Sequence, residues 1–155
     1  MGLEQSLGEV EVTALETENP VVLDVATPVR EVISRMRDQR MGCALLTRSG
    51  KLAGIFTERD VLRKVLGSEG ALDKAVEAYM TPDPVHVAED APIRKAVFHM
   101  HRGGFRSVPV VDADMKVVTC VRQRDIVRYL VEFFADQVLN LPPDPGQVAQ
   151  TPEGG

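Results

Sequence analysis

The sequence of 155 residues repeats itself at an offset of 64 residues. After a one-residue insertion near residues 112–115 the offset becomes 65, and residues 12–66 then align with residues 76–131. Twelve aligned positions are identical, whereas average residue usage gives about three or four identities by chance. Length alone predicts one domain, because a chain of this size buries enough surface for a single core. The repeat divides that domain into two copies of one small unit.

Both copies predict the same order of elements. Each has an apolar stripe at positions i, i+3, i+4 and i+7 directly after a proline, which is typical of an amphipathic helix. The stripes are Val29, Val32, Ile33 and Met36, and then Ile93, Ala96, Val97 and Met100. A β-rich run precedes each proline, a hairpin follows each helix, and a second helix closes each copy. The strands are predicted at residues 21–23, 43–46, 52–56, 85–87, 108–111 and 117–121, and the second helices at 60–66 and 125–139. The unit is therefore β-α-β-β-α.

The repeat sets the predicted boundaries along the chain. We expect a flexible N-terminus over residues 1–10, the first repeat over 11–67, a linker over 68–74, the second repeat over 75–139, and a disordered tail rich in Pro and Gly over 140–155. Residues 71–79 have the composition of a short helix. A unit of about 50 residues buries too little apolar surface to be stable alone. The two copies are therefore expected to pack sheet to sheet in an α+β fold.

Composition and motifs argue against several classes of function. The formal net charge of -5 argues against nucleic-acid binding, which usually needs a basic stripe. No apolar run approaches the roughly 18 to 20 residues of a membrane-spanning helix, and the acidic start does not resemble a signal peptide. We therefore expect a cytoplasmic protein without a membrane partner. The sequence contains no nucleophile-elbow, zinc-protease, P-loop or dinucleotide-fingerprint motif, which argues against an enzyme.

The sequence has two cysteines, and neither belongs to a metal-binding motif. Cys43 and Cys120 each lie in an apolar, strand-like run, which predicts small buried thiols, with a disulfide or a reactive thiol as the alternative. Their spacing from His86, His99 and His101 does not fit a metal site. His99 and His101 are two residues apart on a predicted helix and so do not share one face. We therefore expect no metal and no required cofactor.

Three segments carry a resemblance to a known family. They are GIFTERDVL at residues 54–62, YMTPDPV at 79–85 and RSVPVVD at 106–112. Together with the duplicated β-α-β-β-α unit, they resemble the cystathionine-β-synthase-type (CBS) domain family over roughly residues 11–139. The resemblance implies a tandem pair whose sheets pack about a pseudo-twofold axis and form two clefts. It also implies that the clefts bind adenosine-containing ligands such as AMP, ADP, ATP, S-adenosylmethionine or NAD, and that two pairs associate into a flat homodimer.

The first repeat offers a candidate nucleotide site where its last strand passes into a helix. The hydroxyl and backbone N–H of Thr57 are predicted to face the positive end of the helix, which suits a phosphate. The family resemblance gives Thr57 this phosphate role and assigns the ribose hydroxyls to Asp60. The alternative needs no ligand, because a Thr-x-x-Asp sequence also forms a capping box. The two interpretations are compatible.

The second repeat departs from the family pattern at the equivalent turn. Arg122 replaces the threonine, and Thr119 stands where the family usually has glycine. Arg122 either makes a bidentate contact with a phosphate or is an exposed arginine at a strand end. Asp125 keeps the ribose role by resemblance. Arg106, which leads into an apolar strand, is a further candidate phosphate partner.

The resemblance also implies an adenine slot in each repeat, built from residues that otherwise look like ordinary strand residues. The slot residues are Val21, Val22, Leu23, Cys43, Ala44 and Leu45 in the first repeat, and Val85, His86, Val87, Ser107, Val108 and Pro109 in the second. Arg59 and Arg124, identical at aligned positions beside Asp60 and Asp125, complete the candidate ligand-binding set. Because the chain has no tryptophan, adenine specificity is expected to rest on aliphatic walls and backbone edges.

These features predict a regulatory module that senses an adenosine-containing ligand and passes its occupancy to a partner protein or to its own assembly. The alternative is a structural or oligomerisation module with degenerate clefts, which the departures at Arg122 and Thr119 support. The last predicted helix is apolar on more than one face, which favours a homodimer, although the excess can also pack within the chain. Its apolar residues are Ile126, Val127, Leu130, Val131, Phe133, Phe134, Val138 and Leu139.

Overall fold

The computed structural model describes residues 1–139, and the predicted tail at residues 140–155 lies outside them. After α1 (Leu3–Glu9), the first copy contains β1 (Val21–Asp24), α2 (Val29–Asp38), β2 (Cys43–Arg48), β3 (Lys51–Thr57) and α3 (Glu58–Asp60), which continues as a π-helical turn at Val61–Val65. A short strand, β4 (Thr81–Pro82), lies near the start of the second copy. That copy contains β5 (Val87–Ala88), α4 (Ile93–Gly103), β6 (Ser107–Val111), β7 (Val117–Arg122) and α5 (Gln123–Leu139). The predicted β-α-β-β-α order is confirmed in both copies.

The described residues form two sheets of related topology. In the first, β1 runs parallel to β2, β2 pairs with β3 as an antiparallel hairpin, and β4 adds to the far side of β3. In the second, β5 runs parallel to β6, and β6 pairs with β7 as an antiparallel hairpin. The hairpin registers place Cys43 opposite Thr57 and Ser107 opposite Arg122. Each sheet therefore brings the start of its middle strand beside its strand-to-helix turn.

The predicted helical stripes lie in two separate cores. Val29, Val32 and Met36 of α2 pack in the first core, and Ile93, Ala96 and Met100 of α4 pack in the second. Both helices begin directly after the aligned prolines at residues 28 and 92. α4 ends at Gly104, whose φ of 67° is a left-handed conformation that favours glycine.

The segment that leads into each repeat packs in the core of the other repeat. Val12 lies in the core built around α4 and β6, whereas Val76 lies in the core built around α2 and β2. Equivalent hydrogen bonds hold the two segments, because the N–H of Val12 donates to the carbonyl of Ala91 and the N–H of Val76 donates to that of Thr27, both at 2.8 Å. Neither repeat has a complete core of its own, in agreement with the prediction that the unit is too small to be stable alone.

A third cluster joins the two sheets. Leu45 and Leu52 of the first copy pack there with Val111 and Cys120 of the second. The N–H of Leu52 also donates to the carbonyl of Met115 at 2.9 Å, so the backbones of the copies are in direct contact. The predicted packing of sheet on sheet is therefore confirmed.

The N-terminus differs from its prediction as a flexible segment. Residues 3–9 form α1, which lies against α4, and Leu7 and Val10 pack on the second core. Ser6 is buried, and its hydroxyl makes a hydrogen bond with that of Tyr129. The physical reason is visible in the sequence, because Leu3, Leu7 and Val10 share one face of a helix at positions i, i+4 and i+7.

Three local predictions also need correction. Residues 71–79 form two 3-10 turns, at Ala71–Asp73 and Val76–Ala78, in place of one short helix. The strand predicted at residues 85–87 begins only at Val87, because Asp83 takes a positive φ of 47° and Pro84 has no N–H for a sheet ladder. The first-copy helix predicted at residues 60–66 begins at Glu58 and is largely a π-helical turn. None of the helices within residues 1–139 is long and apolar enough to cross a membrane.

Candidate functional site

The two strand-to-helix turns occupy equivalent corners of the fold. β3 ends at Thr57 and β7 ends at Arg122, and the helix that follows starts at the next residue in both. In the first corner, the N–H of Glu58 donates to the carbonyl of Gly42 at 3.1 Å. In the second, the N–H of Gln123 donates to the carbonyl of Arg106 at 2.9 Å. Each turn is thereby held against the loop that leads into its own middle strand.

The turn of the first copy is a complete capping box. The backbone N–H of Thr57 donates to Asp60 Oδ2 at 2.9 Å, and the N–H of Asp60 donates to Thr57 Oγ1 at 3.3 Å. The other carboxylate oxygen of Asp60 lies 3.1 Å from Lys64 Nζ. Lys64 is 42% exposed, so this ion pair contributes little to stability and Lys64 can exchange for another partner. The capping interpretation is confirmed, and one oxygen of Asp60 stays available to a ligand that displaces Lys64.

The turn of the second copy is closed by a buried ion pair. The N–H of Arg122 donates to Asp125 Oδ2 at 2.8 Å, and its guanidinium Nη2 lies 3.4 Å from Asp125 Oδ1. The same Nη2 lies 3.3 Å from Glu18 Oε1 of the first copy. The side chain of Asp125 is fully buried and that of Arg122 is 14% exposed. The prediction of an exposed arginine at the strand end is therefore wrong, because two carboxylates draw Arg122 inward.

The charge on Arg122 is stabilised where it lies. Burial works against the charged guanidinium, but hydrogen bonds and charge attraction from Asp125 and Glu18 outweigh it and raise the pKa of Arg122. Arg122 Nη1 also lies 3.6 Å from the sulfur of Met41. Arg122 consequently ties the start of the first copy to the end of the β7 strand.

A small cavity lies between the copies beside this ion pair. It is lined by Glu18, Pro20, Met41, Gly42, Cys43, Leu45, Ser107, Cys120 and Arg122. Its volume of about 20 Å³ is enough for about one water molecule. This cavity, which we call the first cleft, contains residues of both repeats but has no room for a nucleotide while Arg122 and Glu18 stay paired.

By the repeat alignment, the residues that line the first cleft have equivalents in a second set of residues, which we call the second cleft. Thr57 stands at the position of Arg122, and Pro82 stands at the position of Glu18. The ion pair that narrows the first cleft therefore has no counterpart at these positions. The hydrogen bonds of the Thr57 side chain stay within its own turn, with Asp60. Arg106 and His86 are both exposed, and Arg106 directly precedes half-buried Ser107.

The structure divides the other predicted site residues into three groups. Core residues are Val21, Ala44, Leu45, Val87, Val108 and Pro109, all buried. Half-buried residues are Leu23, Cys43, Ser107 and Thr57. Exposed residues are Val22, Val85, His86, Arg106, Arg59 and Arg124. The side chains of the first group pack within the protein, so a ligand reaches mainly the second and third groups.

The departure at Thr119 has a packing explanation. A Cβ on Gly54, the equivalent residue in the first copy, would overlap the side chain of Met80. The residue equivalent to Met80 is Glu16, which is exposed, so the second copy has room for a side chain at this position. Thr119 uses it for a hydrogen bond of 2.6 Å between its hydroxyl and that of Thr17.

Sequence reasoning missed Glu18 as a cleft residue. An alignment of the two copies could have identified it, because Glu18 and Arg122 each differ in charge from their equivalents, Pro82 and Thr57. Two such departures of opposite charge on facing sides of one cleft point to an ion pair. Within residues 1–139, no group of three or more His, Cys, Asp or Glu side chains is arranged to hold a metal ion.

Comparisons with known proteins agree with this architecture. The family model described as CBS domain matches residues 12–67 and 76–132. The chain is 30% identical over 122 residues to a 17.7 kDa protein of the bps2 3′ region in Acidianus ambivalens, a match that covers 78% of this chain and 73% of that one. It is also 31% to 35% identical to CBS domain-containing proteins of Arabidopsis thaliana, of whose length it spans about a fifth.

Solved structures share the fold. The CBS domain protein PAE2072 from Pyrobaculum aerophilum, solved in complex with AMP, aligns with a TM-score of 0.71 at 26% identity, over 82% of this chain and 99% of that one. The CBS domain pair of protein MJ0100, solved with 5′-methylthioadenosine and S-adenosyl-L-methionine, aligns with a TM-score of 0.71 at 23% identity, over 80% of this chain and 98% of that one. With both repeats matched and the paired sheets observed, the chain belongs to the CBS domain family as a tandem pair of repeats.

Proposed function

We propose that this chain is a regulatory module that binds an adenosine-containing ligand, with AMP as the first candidate, in its second cleft. The observation that carries the proposal is the difference between the two corners. Arg122 and Glu18 narrow the first cleft, whereas Thr57 and Pro82 stand at the same positions of the second. The AMP complex of the Pyrobaculum aerophilum protein supports this choice of ligand.

The side chains of the second cleft suit the three parts of AMP. Asp60 accepts hydrogen bonds from the ribose hydroxyls once Lys64 moves aside. The hydroxyl of Thr57 and the guanidinium of Arg106 donate to the phosphate, where an arginine can bind with two parallel hydrogen bonds. Val85 is 39% exposed and lies beside exposed His86, so adenine has an apolar wall without a tryptophan.

The segment that leads into each repeat packs in the core of the other repeat, and this packing gives the ligand a route to affect the whole module. Val12 and Val76 each pack in the core of the opposite repeat, so a shift of one repeat against the other disturbs both cores. The two repeats can take two arrangements relative to each other. A ligand that contacts both repeats shifts the equilibrium between these arrangements only by the difference in its affinity for them. A partner protein, or a second copy of the chain, then responds to the favoured arrangement.

A structural module with degenerate clefts is the second candidate function. The closed first cleft favours it, because a volume of about 20 Å³ excludes any nucleotide. The two functions differ in one respect, since only the regulatory module gains stability from a nucleotide. The same experiment therefore separates them.

Thermal unfolding of the full chain with AMP, ADP, ATP, S-adenosylmethionine or NADH tests the proposal. At about 100 times its Kd, a ligand stabilises the folded state by about 2.7 kcal/mol, which raises Tm by roughly 5 to 11 °C in a chain of this size. Inorganic phosphate at the same concentration is the control for anion effects. No rise above the phosphate control with any of the five at millimolar concentration would leave the structural module as the remaining candidate.

We also propose that two chains associate through α5. Val127, Val131, Phe134 and Val138 follow one another at helical spacing and are each more than half exposed. Ile126, Tyr129 and Leu130 pack on the second core from the same helix, so the exposed stripe is left for another surface. Light scattering should give twice the chain mass of 17.0 kDa. The Phe134→Glu variant should restore the single-chain mass, and a wild-type monomer at micromolar concentration would contradict the dimer.

A further inference from the structure

The two cysteines of the chain meet at the contact between the repeats. Cys43 is the first residue of β2, and Cys120 lies in β7 of the other copy. Their side chains pack in the third cluster between the two sheets, and both line the first cleft together with Arg122. Both thiols are free, and the sequence contains no further cysteine. The fold has thus placed its only two sulfhydryl groups on opposite sides of one junction.

The environment makes the two thiols unequal. A hydrogen bond from Cys120 is the main cause that lowers the pKa of Cys43 to about 7, with Ser107 and Arg122 adding to it against burial and the charge of Glu58. The same hydrogen bond and burial raise the pKa of Cys120 well above its usual range. At neutral pH, Cys43 therefore has substantial thiolate character, while Cys120 stays protonated as the donor. Cys43 is also half-buried, so small reagents reach it more readily than buried Cys120.

We propose that Cys43 and Cys120 form a reversible disulfide that links the two repeats when the chain meets hydrogen peroxide. The Cys43 thiolate attacks one peroxide oxygen, the O–O bond breaks, and hydroxide leaves, so that Cys43 becomes a sulfenic acid. The Cys120 sulfur then attacks the sulfenic sulfur, the S–S bond forms, and the sulfenic oxygen leaves as water with the two remaining protons. The two thiols lose two electrons in total, and the peroxide gains them.

The bond would tie β2 of the first copy to β7 of the second, next to the residues that close the first cleft. Arg122 lies two residues after Cys120, and Met41 lies two residues before Cys43. The disulfide therefore holds the two sheets in one arrangement beside the Arg122–Glu18 pair. Its formation needs no nucleotide, so it stands independently of the proposed ligand.

Intact mass spectrometry of the full chain tests the disulfide. After peroxide treatment and quenching with iodoacetamide under denaturing conditions, the wild-type chain should lose about 2 Da, the mass of two hydrogens, and take up no label. Dithiothreitol should restore two sites for label. The oxidised chain should also unfold at a Tm roughly 5 to 15 °C higher than the reduced chain. Two labelled cysteines after peroxide, or a disulfide found only between chains on a non-reducing gel, would overturn the proposal.

Two single variants test the assigned roles. Cys120→Ser, which keeps a hydroxyl donor beside the Cys43 sulfur, should stop at the sulfenic acid of Cys43, a gain of about 16 Da that dimedone traps. Cys43→Ala should stay unmodified at the same dose. Equal reaction of the two variants would contradict the roles. In the wild type, the rate of labelling at Cys43 should rise with pH and reach half its maximum near pH 7. A midpoint at the ordinary thiol pKa of about 8.5 would contradict the lowered pKa of Cys43, on which its role as the attacking thiol rests.

Discussion

Replacing Asp125 by alanine is expected to lower the free energy of unfolding by about 3 to 5 kcal/mol, because it leaves a buried charge without its main partner. The Asp125 carboxylate accepts the backbone N–H of Arg122 at 2.8 Å and faces its guanidinium at 3.4 Å. Asp125→Ala removes both contacts and leaves Arg122 with Glu18, whose side chain is 52% exposed. Urea unfolding of the variant measures the loss.

The first copy supplies the matched control for this variant. Asp60→Ala removes the same capping carboxylate, but the cation that it leaves is Lys64, which is 42% exposed and returns to water. The expected loss is therefore only about 1 to 2 kcal/mol, the value of a helix cap. Equal losses of unfolding free energy in the two variants would show that the buried Arg122 ion pair does not make the second turn more sensitive to loss of its carboxylate than the first.

Removing the ion pair should create a second nucleotide site. In the double variant Glu18→Ala, Arg122→Thr, the first cleft receives short side chains at both positions, as Thr57 and Pro82 provide in the second cleft. Asp125, freed from the guanidinium, can then face a ribose as Asp60 does. Titration with AMP should change from one bound nucleotide per chain in the wild type to two in the variant.

An exposed ion pair elsewhere provides the control for this double variant. Arg30 and Asp73 are 63% and 79% exposed and pair at 3.2 Å on the surface of the first copy. Arg30→Thr, Asp73→Ala removes the same types of charge away from both clefts and should leave one AMP per chain. One site in both double variants would mean that something other than Arg122 and Glu18 closes the first cleft.

The sequence predicted what depends on local pattern. The stripes that begin at Val29 and Ile93 revealed the helices because burial of one helical face imposes a period of 3.6 residues. The Thr57 capping box followed from a four-residue spacing, and the hairpins followed from short apolar runs around a turn. The family of the fold followed from the order of these pieces.

The features that sequence reasoning missed depend on contacts between distant residues. Glu18 and Arg122 lie in different copies, and no local period links them. The exchange of Val12 and Val76 between the cores likewise appears only once the two sheets are packed. The helix at residues 3–9 was missed because three apolar residues on one face are a weak signal until α4 supplies a surface for them.

Isothermal titration calorimetry with AMP measures directly whether the second cleft binds a nucleotide. We expect one AMP per wild-type chain and a Kd that is roughly 10 to 100 times weaker in Thr57→Val, which loses a hydroxyl that donates to a charged group. Thr47→Val, which changes a half-buried threonine at the opposite end of the same hairpin, should bind as the wild type does. No heat of binding at millimolar AMP, or equal affinity in wild type and Thr57→Val, would contradict the assignment of the second cleft as a nucleotide site.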